Sequence, residues 1–173
     1  MSIGESLLPE FEQELSNTRK ILGVVPDGQL GWAPHEKSMS LGRLASHVAE
    51  LPRWGVMTIE TDKLEFEGTE RPFFASSQKD LIARLDENAA DYRKALRSVS
   101  DDELSKNWTM HYRGQKMLDM PKGAILRRVV MNHLIHHRGQ LSGYLRLLNV
   151  AIPGMYGPSA DDMGLLRAEN QVA

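Results

Sequence analysis

Long stretches in which apolar residues return every three or four positions alternate along this chain with short segments rich in proline, glycine and serine. At about 100° per residue, that spacing gathers the apolar side chains on one face of a helix. Leu7, Leu8, Phe11, Leu15, Thr18 and Leu22 share such a face. They predict a first helix after Ser6, with Pro9 tolerated in its first turn and Pro26 and Gly28 ending the segment. A second helix is predicted after Ser40, a good N-cap, with Leu44, Val48 and Leu51 as its stripe. Pro52 can bend a packed helix without ending it, so this segment is expected to run on toward Ile59. Ser77-Gln78-Lys79-Asp80 reads as a capping signal for a third helix with the face Ile82, Leu85, Ala89, Tyr92, Leu96 and Val99, closed by Ser100-Asp101-Asp102. The fourth and longest helix begins at Pro121 and ends at Asn149. Its face collects Leu126, Val129, Val130, His133, His137, Gln140, Tyr144 and Leu147. Four amphipathic segments of this kind predict an all-α four-helix bundle.

Strand signals are confined to residues 108–112 and 115–118, which flank Arg113-Gly114 and predict a small hairpin in the third connection. The connections over 24–39, 62–76 and 100–120 are long enough to cover a site. The 173 residues, 41% hydrophobic and 25% charged, suit a single domain over 1–173 with a real core. No apolar run approaches the roughly 20 residues of a membrane helix, and the opening residues lack a basic region followed by an apolar one. A cytoplasmic protein with no membrane association is the expectation. The absence of cysteine removes disulfides, thiolate metal ligands and a protein thiol nucleophile, so any sulfur chemistry needs a thiol brought by a substrate. A formal charge of -2, with both signs interleaved, argues against a nucleic-acid partner.

His133 and His137 change the picture, because they stand at i and i+4 inside an otherwise apolar stripe. Side chains so spaced have Cβ atoms about 5–6 Å apart, within reach of one ion at metal–nitrogen distances of about 2.0–2.1 Å. His47, at the margin of the second helix's stripe, is the third candidate ligand. Three neutral imidazoles leave coordination positions open, which suits a catalytic ion better than a structural one. A histidine pair at this spacing also occurs as ordinary hydrogen-bonded core residues, and the spacing alone does not choose.

His47 in its Leu-x-x-Leu-Ala-x-His setting, Asn132-His133 with His137-Arg138-Gly139-Gln140, Tyr144-Leu145-Arg146 and the closing run from Ile152 to Asp161 together resemble the DinB-like (YfiT-like) metalloprotein superfamily. The likeness spans nearly the whole chain and is most specific in the fourth helix. It implies a four-helix bundle of up-down-down-up connectivity, commonly a homodimer, holding one divalent ion per chain on three histidines that match His47, His133 and His137. Zinc and nickel are the expected metals, although imidazoles also suit copper and iron.

The remaining candidates carry two readings each. Gln140 and Tyr144 continue the histidine stripe, as partners of a bound water or substrate or as satisfied polar groups of the core. Glu50 either orients His47 or pairs on the surface with Arg53 or Lys37. His136, His35 and His111 read first as hydrogen-bonded or solvated, with His111 in a loop that can lie over the site. Arg138 points away from His133 and suits a structural ion pair. Trp32, Trp54, Trp108 and Tyr156 read as packing, and Ser159 lacks a nucleophile-elbow setting. Leu134 stands where the His-Glu-x-x-His peptidases have their general base, which argues against that route. The preferred expectation is a metal-dependent S-transferase that uses a low-molecular-weight thiol on an electrophilic small molecule. The alternatives are a metal-dependent hydrolase and a non-enzymatic, stress-associated metal-binding protein, and the family likeness does not separate them.

Overall fold

The computed structural model describes residues 2–164, so residue 1 and residues 165–173 of the expected domain lie outside the described residues. Helix α1 spans Ile3–Leu22 and starts earlier than its apolar face suggests. Ser2 and Glu5 form a reciprocal capping box, while Ser6 turns its hydroxyl back to the Ile3 carbonyl. Pro9 therefore sits inside the helix, on its exposed side, where water can satisfy the carbonyl that its missing N–H leaves free. Helix α2 spans Leu41–Glu60, is capped by Ser40 and passes through Pro52 as expected. Helix α3 spans Gln78–Ser98 under a Ser77 cap, with buried Leu81 taking the place in the core expected of Ile82. Ser100 does not simply end it. Its hydroxyl accepts from the Glu103 amide and opens a short helix α4, Asp101–Ser105.

The last helix is continuous from Lys122 to Leu147 but not uniform: α5, Lys122–Ile125, leads into a π-helical segment, Leu126–Met131, and then α6, Asn132–Leu147. Bonds to i+5 take up an extra residue in that turn and rotate everything that follows. The core stripe of α6 is consequently Leu134, Leu141 and Leu145, joined by buried Arg138, whereas Leu147 is 64% exposed. Of the stripe that a uniform helix predicts, Leu126 and Val130 are buried, Val129, His133, His137 and Tyr144 are half-buried, and Gln140 and Leu147 are exposed.

Helices α1 and α2 each pack on α3 and α6, around a core that includes Phe11, Ile21, Leu44, Leu51, Leu85, Tyr92 and Leu134. Tyr92 lies flat on Gly55, where a Cβ would stand 2.3 Å from the ring, so glycine lets α2 and α3 approach closely there. The chain is thus mostly helical, with one small sheet attached. That sheet exceeds the expected hairpin. Strands β2, Asn107–Tyr112, and β3, Gln115–Pro121, are antiparallel across Arg113 and Gly114, both at positive φ, and β1, Lys63–Phe66, runs parallel to β2 on its other edge. Two buried anchors fix the sheet to the helices. Trp108 Nε1 donates to Thr61 Oγ1 at 3.1 Å, and the Lys122 ammonium reaches the Ile59 carbonyl, Asp62 and Glu103. Among the described residues no helix is long and apolar enough to cross a membrane.

Candidate metal centre

Helices α2 and α6 lie side by side and bring His47, His133 and His137 together, with one ligand atom of each within 4.8 Å of the others. His133 Nε2 is 2.7 Å from His137 Nε2 and 3.4 Å from His47 Nε2. Two nitrogens bound to one ion at about 2.0–2.1 Å stand roughly 3 Å apart, so these separations fit a shared ion. The hydrogen bonds on the rings support the same arrangement. Gln140 Oε1 lies 2.6 Å from His137 Nδ1, and an amide oxygen only accepts, so Nδ1 carries the proton and Nε2 presents its lone pair to the cluster. The Val129 backbone carbonyl, one turn earlier, acts on the His133 ring to raise its pKa. Lone pairs facing one another at such separations repel unless a proton or a cation lies between them.

The rings are neutral at physiological pH. Burial, reinforced by the positive potentials of His133, His137 and Arg43, holds His47 far below its ordinary range, at about 3. Burial and the neighbouring His137 hold His133 at about 4, against the opposing effect of the Val129 carbonyl. His137 is also lowered by burial, opposed by its bond to Gln140. Neutral imidazole is the form that ligates a metal, so no proton has to be displaced from His47 or His133 near neutrality.

The remaining candidates separate. Gln140 touches the triad, whereas Tyr144 packs edge-on against Trp32 at 5.7 Å and makes no hydrogen bond to the histidines among the described residues. The exposed His136 ring lies 4.9 Å from that of His137 and outside the converging nitrogens. His35 sits in a loop accepting from the Lys37 amide, and His111 lies in β2 with a buried, unpartnered Nδ1. Glu50 pairs with Arg43 at 3.5 Å rather than with Arg53 or Lys37. Arg138 forms the expected buried ion pair, with Glu14, and shares it with Thr18 and Tyr156, which ties the closing segment to α1.

Two neighbours of the triad escaped the sequence reading. Trp54 stands 6.2 Å from the His47 ring and 6.0 Å from that of His133, backed by Phe66 of β1 at 5.8 Å. Arg43 stands one turn before His47. The signal was present, since Arg43, His47, Glu50 and Trp54 follow one another at intervals of three and four along one side of α2.

A helical scaffold that presses three neutral imidazoles from two helices into one cluster defines a class of candidate mononuclear metalloprotein. The DinB family model matches residues 1–171, and the chain belongs to the DinB family. It is 28% identical over 160 residues to the protein YrdA of Bacillus subtilis strain 168, covering 91% of this chain and 90% of YrdA. A crystal structure of a DinB-like protein from Bacillus cereus shares the fold, with a TM-score of 0.65 at 24% identity over 88% of this chain and 97% of that one. So does the DinB-like protein YjoA of Bacillus subtilis, with a TM-score of 0.64 at 17% identity over 87% of this chain and 96% of that one.

Proposed function

We propose that this protein binds one divalent ion, zinc or nickel, through His47, His133 and His137, and transfers a low-molecular-weight thiol to an electrophilic small molecule. The observation that carries this reading is a neutral ligand set to whose rings no carboxylate bonds among the described residues: the position after His133 is Leu134, buried in the core. When bound, such an ion supplies a Lewis acid that lowers the pKa of a thiol or water toward neutrality. Gln140 holds His137 in the ligating tautomer. Trp54, backed by Phe66, gives the triad an apolar neighbour on one side, which suits a sulfur nucleophile. The chain has no cysteine, so that sulfur arrives with a substrate, loses its proton to solvent and bonds to the electrophilic carbon. That carbon either releases its leaving group to solvent or, where it is unsaturated, has its carbon–carbon π bond opened and the resulting carbanion protonated by solvent.

On the family likeness we also propose the up-down-down-up four-helix bundle for the long helices, a cytoplasmic location, and a homodimer burying more than about 1,000 Å². Sedimentation showing a monomer over a wide concentration range overturns the dimer. The functional test is elemental analysis of protein purified without an affinity tag, followed by consumption of a panel of electrophiles with and without thiol. Metal-dependent turnover only with thiol is expected. Turnover without thiol makes the protein a hydrolase, and bound metal with neither activity leaves a non-enzymatic metal-binding role.

A further inference from the structure

Beyond the contacts of the rings with one another, the triad's hydrogen-bonding partner among the described residues is the uncharged amide of Gln140, although a histidine ligand commonly leans on a carboxylate. No carboxylate bonds to any of the three rings among the described residues. A dication held there keeps its full charge, and of the two charged side chains that flank His47 by one turn on α2, Arg43 and Glu50, the first is another cation.

Arg43 lies one turn before His47, and side chains so related have Cβ atoms about 5–6 Å apart. It is held at one end only. Nη1 donates to the Phe73 carbonyl at 3.2 Å and lies 3.5 Å from Glu50 Oε2, too far for a strong bond. Nε and Nη2 have no protein partner among the described residues, and the side chain is 25% exposed. Glu50, itself 21% exposed, offsets part of the charge through wet surroundings and leaves the fork's other edge open.

We infer that Arg43 is a specificity-determining anion anchor: the small molecule that meets the triad carries a carboxylate, which pairs with the open edge of the Arg43 guanidinium while the reacting end, a few carbon atoms away, lies at the histidines. This rests on the metal-site reading above. A guanidinium that served only to pin the Phe73 segment would not distinguish a charged ligand from a neutral one.

The test uses the cobalt(II)-loaded full-length protein, with 3-mercaptopropionate and 2-mercaptoethanol titrated through the sulfur-to-cobalt charge-transfer absorption. The ratio of their dissociation constants is compared between wild type and variants, which cancels the intrinsic difference between the two thiols. Arg43→Gln is expected to lower the preference for the carboxylate by roughly tenfold or more, with 2-mercaptoethanol affinity kept, because a charge-assisted bidentate pair is lost. Glu50→Gln, which removes the competing carboxylate, is expected to raise it. An unchanged ratio in Arg43→Gln, or equal weakening of both ligands, overturns the inference. If neither thiol alters the spectrum, the thiol reading of the site falls, and propionate against propan-1-ol, followed by the cobalt d–d bands, decides in its place. Arg43-dependent binding of propionate then upholds the anchor, and its absence overturns it.

Discussion

Gln140 offers the sharpest separation between a positioned ligand and a chance cluster of histidines. Its Oε1 is the acceptor, at 2.6 Å, that keeps the proton of His137 on Nδ1. Gln140→Leu removes that acceptor while leaving all three imidazoles in place. Loss of such a supporting bond typically weakens metal binding by about 10–100-fold, or roughly 1.4–2.7 kcal/mol. Gln140 is exposed, so water can partly replace its oxygen, and the lower end, about tenfold, is expected. Gln140→Glu moves affinity the other way, because a carboxylate makes the imidazole a stronger donor. Competition against a chromophoric chelator at fixed pH measures both. A Gln140→Leu protein within twofold of wild type, or a Gln140→Glu protein that binds more weakly than Gln140→Leu, refutes the assignment of His137 Nε2 as a ligand atom.

The other expectations test the ligand set, the core and the pH response. His137→Ala should abolish tight metal binding with the far-UV circular dichroism unchanged, while His136→Ala binds within a few-fold of wild type; the reverse result would falsify the helical register. Arg138→Met strands the Glu14 carboxylate in the core, where both side chains are buried, and should cost about 3–5 kcal/mol in urea denaturation. The double variant Glu14→Gln/Arg138→Met should recover part of that loss, and strict additivity would show that the two are not coupled. In the metal-free protein, His47 at about 3 and His133 at about 4 protonate far less readily than unfolded histidines near 6.5. The unfolded chain therefore takes up protons first as pH falls below about 6.5, and stability should decline between about pH 6.5 and 5, ahead of the carboxylates. A His47→Leu protein whose urea midpoint falls as steeply as that of wild type over this window contradicts the assignment.

The helices could be read from the sequence because their signals are local: Ser40 and Ser77 cap where expected, and Pro52 lies within a segment whose stripe continues on both sides. The triad was legible for the same reason, since two of its members share one helix and the third lies in a recognisable motif. The errors arose where a nearby competing signal decided. Ser2 with Glu5 outcompeted Ser6 as the cap of α1, and Ser100, just past the end of α3, also caps a further short helix. Strand β1 is four residues long, and its alternation of Leu64 and Phe66 gains meaning only beside β2. The phase of α6 escaped for a deeper reason, because a constant 100° per residue cannot anticipate the π-helical turn that precedes His133. Ion pairs such as Arg43 with Glu50 depend on rotamers that no spacing fixes.

The triad also joins distant parts of the chain. His47 and His133 are 86 positions apart, so an ion held between α2 and α6 closes a loop that contains α3, α4 and the whole sheet. Closing a loop of that length removes on the order of 4–5 kcal/mol of chain entropy from any state that keeps the link. Helix α1 lies outside the loop. Metal loading should therefore change which part of the protein opens first, rather than strengthen it evenly: α1 stays as free to detach as before, while α2 and α6 cannot separate without surrendering the ion.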